Sequence, residues 1–150
     1  MAGFPKITRF TPKNKGKYIG KNPVILARSS WERQVMHWLD MHPQVIKWSS
    51  EETVIPYRSP LDNKLHKYFP DFLVHIMEAE VEVVYLVEVK PKSQTQAPKM
   101  KKRLGKPTKT YVRGVTTYLV NDAKFEAAEA YCLMKNWKFK ILTEDNLHTL

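Results

Sequence analysis

Two β-prone runs, residues 65–76 and 81–90, constrain this chain more than anything else in it. Both are rich in Val, Ile, Leu and Tyr, and the few residues between them leave room only for a hairpin. Centring the turn near Ala79 makes paired positions sum to 158–160, which sets Asp71 opposite residues 87–89, with Glu88 among them. Facing side chains in an antiparallel pair stand about 4.5–5.5 Å apart. Two carboxylates at that range repel each other unless a cation lies between them, and a divalent metal with oxygen ligands is the natural one. Side chains alternate along a strand, so Val87 and Val89 point to the core while Glu88 and Lys90 share the other face. A carboxylate pair and an ammonium therefore converge on one patch.

Composition supplies a body for this hairpin. The chain has 150 residues, 43% of them hydrophobic, which suits one domain with a real core. The single cysteine, Cys132, excludes a disulfide framework and a Cys-rich zinc site. No run of 18 apolar residues exists and the N-terminus lacks the apolar stretch of a signal peptide, so a soluble cytoplasmic protein with no membrane partner is expected. Charge is unevenly spread. Residues 1–31 hold seven basic residues and no acid; residues 91–121 hold eight (Lys92, Lys99, Lys101, Lys102, Arg103, Lys106, Lys109 and Arg113) and again no acid. These 62 residues carry +15, whereas the other 88, with 10 basic and 15 acidic residues, carry −5. Two acid-free basic segments around a mildly acidic body point to a polyanion, nucleic acid before others. No zinc finger, helix-turn-helix or RNA-binding aromatic signature is visible, so a phosphate track with steep salt dependence is expected instead of base readout.

Along the chain, residues 1–27 are punctuated by Gly3, Pro5, Pro12, Gly16, Gly20 and Pro23 and read as an irregular basic arm, with residues 23–26 able to lie against the body. Residues 28–150 then form one domain carrying a basic insert at 91–121. Ser29 and Glu32 have capping-box spacing, and Trp31, Val35, Trp38 and Leu39 follow at helical intervals, so a helix runs to about Met41, before Pro43. Residues 52–58 read as the first strand of an antiparallel meander with 65–76 and 81–90. The insert reads as a long loop with a short helix at 98–104. Residues 116–120 are β-prone, Asn121-Asp122 caps a second helix, and residues 137–142 form a closing strand.

Phosphodiester hydrolysis needs a nucleophilic water, neutralisation of charge growing on the phosphate, and help for the leaving oxygen. A metal held by Asp71 and Glu88 supplies a Lewis acid and a water of lowered pKa. Lys90 can hold that water or stabilise the pentavalent phosphorus. Glu32, at the start of the first helix, is either the partner in a capping box, an added ligand, or a group that orients water.

Glu32, Phe69-Pro70-Asp71 and Val87-Glu88-Val89-Lys90 resemble the PD-(D/E)XK nuclease superfamily. More narrowly, Ser30-Trp31-Glu32, Trp48-Ser49-Ser50-Glu51, Tyr68-Phe69-Pro70-Asp71-Phe72, Val87-Glu88-Val89-Lys90-Pro91 and Phe139-Lys140-Ile141-Leu142-Thr143-Glu144 are similar to the TnsA-type transposon endonuclease branch. Size and basic insert resemble the head completion nucleases of large contractile-tailed phages. The likeness spans residues 28–145. It implies an α/β (α+β) restriction-endonuclease-like fold with an αβββαβ core and a mixed sheet flanked by helices. It implies Mg²⁺ or Mn²⁺ held by Asp71, Glu88 and the Val89 carbonyl, with Glu32 as an optional further ligand, and catalysis by Glu32, Asp71, Glu88 and Lys90. It implies double-stranded DNA as partner, beside phage head or neck proteins, and a place in the host cytoplasm or on the virion. The thirty-residue basic insert departs from the family pattern. Three functions are open on these residues: a metal-dependent DNA endonuclease, with or without exonuclease action; a non-catalytic DNA-binding virion module; and a transposition endonuclease, which the end of the chain six residues after Glu144 disfavours.

Overall fold

The computed structural model describes residues 6–150. In chain order the elements are β1 (Thr8–Phe10), β2 (Ile25–Ala27), α1 (Ser30–Met41), β3 (Val45–Ser50), β4 (Ile55–Arg58), β5 (Leu65–Tyr68), β6 (Phe72–Glu78), β7 (Val81–Val89), β8 (Lys102–Arg103), β9 (Lys106–Pro107), α2 (Lys109–Lys135) and β10 (Lys138–Leu142). The central sheet has the order β10-β7-β6-β3. β3, β6 and β7 pair antiparallel, while β10 returns parallel to β7 after the α2 crossover. The series α1-β3-β6-β7-α2-β10 is therefore the αβββαβ core of a restriction-endonuclease-like α+β fold, with a mixed sheet between two helices.

Alternation along the strands divides the molecule into two layers. Tyr85, Val87 and Val89 face a core built with α1, in which Val35, Met36 and Leu39 meet Trp48, Phe72 and Val74. Leu86 faces a second, smaller core with Ile55, Tyr57 and Tyr68 from the β4–β5 ribbon and Ala128 and Cys132 from α2. α1 starts as its sequence requires: the Ser29 hydroxyl accepts the Glu32 N–H at 3.1 Å. It ends at Met41, with His42 extended before Pro43.

Four expectations need correction. The arm is not unpacked: β1 and β2 pair antiparallel, and Phe10, Ile25 and Ala27 are buried in the main core. The buried Asp40 carboxylate binds it to α1 by accepting the N–H groups of Lys13 (2.8 Å) and Asn14 (2.9 Å). Residues 1–5 of that arm lie outside the described residues. The meander does not begin at residues 52–58, because β3 takes the place beside β6, and β4 pairs with β5 as a separate ribbon. The basic insert is not one long loop. Its second half is helix, and the residues expected as a short helix at 98–104 enter a two-residue ribbon instead. Finally, Thr108 caps α2, its hydroxyl accepting the Tyr111 N–H at 3.1 Å, so residues 116–122 lie inside the helix. Gly114 and the β-branched residues around it argue locally against a helix, but propensity is a weak force beside burial of Asn121, Ala128 and Cys132 along one face. Among the described residues no helix is long and apolar enough to cross a membrane.

If the arm is part of the core, Phe10→Ala removes a buried ring that contacts Trp48 edge-on at 6.0 Å between centroids and should cost about 3–5 kcal/mol in urea denaturation. An unpacked arm would leave the denaturation midpoint unchanged.

Candidate active site

Asp71 occupies the point where β6 leaves its ladder. The register pairs Phe72 with Val87, so residues sum to 159 and Glu88 stands level with Asp71, inside the expected window. The same register sets Pro70 opposite Val89. Proline has no N–H to give the ladder. The ladder ends before it, and beyond that end the Asp71 side chain holds β7, its Oδ2 accepting the Val89 N–H at 2.7 Å. The Asp71 carbonyl accepts the Glu51 N–H at 3.0 Å, so backbone and side chain are both tied. N–H and C=O of one strand residue project to the same side, and the Val89 carbonyl therefore faces the Asp71 edge as well.

Glu88 lies on the opposite face of β7 from Val87 and Val89, and only 6% of it is exposed. Its Oε2 atom is buried and has no hydrogen-bond partner among the described residues, and neither has the hydroxyl of the adjacent buried Tyr68. Burial, with the neighbouring Glu88 charge second, holds the Asp71 carboxyl well above the usual carboxylate range. Burial raises Glu88 too, against the pull of its Asp71 contact, Lys90 and Lys124. Unpaired buried carboxylates are costly. Two side by side, one with an unused oxygen, are the donor set that suits a hard divalent cation, with the Val89 carbonyl as a third oxygen.

Glu32 reaches the same region from α1. Its Oε2 accepts the Arg28 N–H at 3.1 Å, one residue before the N-cap Ser29, so it holds the chain entering α1 without closing the reciprocal capping-box bond on Ser29. Burial raises its pKa to about 7, aided by the charges of Asp71 and Glu51 and opposed by the Arg28 N–H and guanidinium. Glu32 does not complete a three-carboxylate cluster: among the described residues no group of three or more His, Cys, Asp or Glu is placed to grip one ion. Glu51, which sequence reading gave no role, forms a two-point ion pair with Arg28 at 2.6 and 3.1 Å. It does so from a left-handed backbone conformation, φ 55°, that costs a non-glycine residue about 1–3 kcal/mol and is held by the bond to Asp71.

Lys90 follows Glu88 on the same strand face, its N–H donating to the Leu142 carbonyl at 2.9 Å. Lys124 is the cation that sequence reading missed. Its ammonium lies over the rings of Tyr57 (5.8 Å) and Tyr68 (5.6 Å). Burial and the Lys90 charge hold it below its ordinary value, while Glu88 pulls the other way. A helix starting at 109 sets Asn121, Lys124 and Ala128 one turn apart on one face, whereas a helix capped at 121–122 leaves Asn121 outside that face. The eight basic residues from Lys92 to Arg113 are all exposed. Of these, Lys92 alone has an acidic partner among the described residues, Asp145 at 3.1 Å.

A family model described as the N-terminal domain of TnsA-like endonucleases matches residues 42–144, which include every strand of the central sheet. The chain belongs to the TnsA-like endonuclease family. It is also 36% identical over 143 residues to the head completion nuclease of Enterobacteria phage T4, covering 95% of this chain and 93% of that protein. Family membership gives the coarse class: a nuclease, hence a hydrolase, of the type that resembles phage head completion nucleases. The matched region holds Asp71, Glu88, Lys90 and Lys124, whereas Glu32 and Arg28 precede it.

The raised carboxyls fix a sign for pH dependence in this family member. Between the ordinary glutamate value and about 7, the folded chain holds a proton on Glu32 that the unfolded chain has released, so stability falls as pH rises through that window. With divalent ions chelated, the melting temperature should drop from pH 5 to pH 8. Glu32→Gln should flatten the profile by about 1–2 kcal/mol, solvent screening at this partly exposed position trimming the rest. A wild-type stability that rises over that interval would contradict the burial assigned to these groups.

Proposed function

We propose that this protein is a metal-dependent DNA nuclease on the PD-(D/E)XK plan, cutting phosphodiester bonds with little sequence preference and processing packaged DNA in phage head completion before head and tail join. The observation that carries the reading is the buried pair Asp71 and Glu88 on neighbouring strands, with Glu88 Oε2 left without a partner and Lys90 beside it. The T4 relative, alike over nearly the full length of both chains, supports the biological setting, and the partners of this chain in that setting would be double-stranded DNA and head or neck proteins.

Asp71, Glu88 and the Val89 carbonyl would hold Mg²⁺ or Mn²⁺. A divalent ion there supplies Lewis-acid stabilisation of the phosphate and a water of lowered pKa. The chain's own groups do the rest. Lys90 and Lys124, two partly buried ammonium groups close enough to feel each other's charge, meet the charge that grows on the phosphate oxygens. With a pKa near 7, Glu32 exchanges a proton close to neutral pH and can take one from the attacking water or return one to the leaving oxygen. Arg28 and Glu51 fix Glu32 and Asp71 and act as positioning residues. The exposed basic residues Lys99, Lys101, Lys102, Arg103, Lys106, Lys109 and Arg113 track the DNA backbone, and Lys92, already paired with Asp145, contributes less.

Supercoiled plasmid incubated with the protein and Mg²⁺ or Mn²⁺ should be nicked and linearised. EDTA, Asp71→Ala, Glu88→Ala and Lys90→Ala should each reduce the reaction to background. Lys124→Ala should slow it on the order of 10²-fold, with Lys124→Arg recovering most of the rate. Equal background nicking by wild type and Asp71→Ala would reject the nuclease reading and favour a non-catalytic DNA-binding module.

A further inference from the structure

A small cavity of about 190 Å³ lies between the segment that follows β7 and the first half of α2. Gln94, Gln96 and Pro98 line it from the segment, and Gly114, Tyr118 and Asn121 from the helix, with hydroxyls from Ser93 and Thr117 between them. Asn121 is 5% exposed, and its Nδ2 has no hydrogen-bond partner among the described residues. Asn121 lines the polar cavity, and a buried amide with an unused donor is a group waiting for an acceptor.

The lining has an unexpected charge. The stretch 91–121 carries eight basic residues and no acid, yet no charged side chain lines the cavity. A phosphate site would recruit those cations. Three amides, two hydroxyls and a phenol ring suit a flat neutral ligand with donors and acceptors on its edge, which is how unpaired bases are read and stacked. The volume is below the roughly 300–1,000 Å³ typical of drug-sized ligands, and fits a single ring system. The place fits as well. Ser93 is three residues beyond Lys90, hence within about 10 Å along the chain. Asn121 is one helical turn before Lys124 on the same face of α2. Lys92, Lys99 and Arg113 flank the lining residues in sequence.

We infer that this cavity receives one unpaired nucleobase of the DNA next to the cleaved phosphodiester, hydrogen-bonded by Asn121, Gln94 and Gln96 and stacked on Tyr118. The inference deepens the nuclease reading and rests on it. The nuclease would then favour sites where a base is already out of the helix, such as bulges and frayed ends, because extrusion from a paired duplex costs unstacking energy. The expectation of phosphate contact alone is thereby extended: one base is held without its identity being strongly selected, since amides can turn to offer either a donor or an acceptor.

The test is equilibrium binding by fluorescence anisotropy in EDTA, which needs neither cleavage nor a metal. Two labelled duplexes are compared, one fully paired and one with a single unpaired adenine. Wild type should bind the unpaired-base duplex about tenfold more tightly. Asn121→Leu should reduce that ratio to near one, and so should Gln94→Ala combined with Gln96→Ala, which changes only exposed side chains and leaves folding intact. Equal wild-type affinities, or a preference that survives in the double glutamine variant, would overturn the assignment. Failure of wild type to bind either duplex would overturn the DNA reading itself.

Discussion

The structure depends on one electrostatic conflict: Asp71 and Glu88 are buried side by side, each raised above its ordinary pKa by loss of water. A fold does not keep two such groups for stability, since apolar residues in their place cost nothing comparable. Everything around the pair serves to hold it. Pro70 ends the ladder, and the Asp71 carboxylate beside it takes the Val89 N–H. Glu51 grips the Asp71 carbonyl from a strained backbone. Two lysines on separate elements approach from the α2 side.

The two layers explain how one sheet supports both a dry core and a polar site. On β7, odd-numbered Tyr85, Val87 and Val89 face the α1 core and Leu86 faces the α2 core, with Glu88 on the same side as Leu86 and Lys90 just past the strand end, both near Lys124 of α2. The α1 layer is large and apolar and gives the sheet its rigidity. The α2 layer is smaller, with Tyr57 and Tyr68 presenting ring faces to Lys124 and the Tyr68 hydroxyl lying near the carboxylates. Shifting β6 by one residue against β7 would send Asp71 or Glu88 into the apolar layer, so the hairpin register and the site are specified together.

What the sequence revealed follows this division. The hairpin was legible because its turn is short and its strands are β-branched, and from it the pairing of Asp71 with Glu88 came by arithmetic. The start of α1 was legible because a side chain, Ser29, makes the cap. Three features were hidden because they depend on distant contacts. Residues 45–50 carry no local signal that assigns them an element, and β6 is what pairs them into β3. β1 and β2 sit among glycines and prolines, and only burial of Phe10 and Ile25 reveals them. The first half of α2 has poor local propensity, and misplacing its start made Asn121 a cap and hid the face it shares with Lys124.

Binding of Mn²⁺ by isothermal titration calorimetry, on wild type and on Glu88→Gln, asks about the carboxylate pair without DNA and without turnover. Saturable binding to wild type that is lost in Glu88→Gln, while the variant stays folded and melts higher in chelator because a buried charge is gone, is the result predicted here. Indistinguishable isotherms for the two proteins, or no binding to wild type at millimolar Mn²⁺, would contradict it.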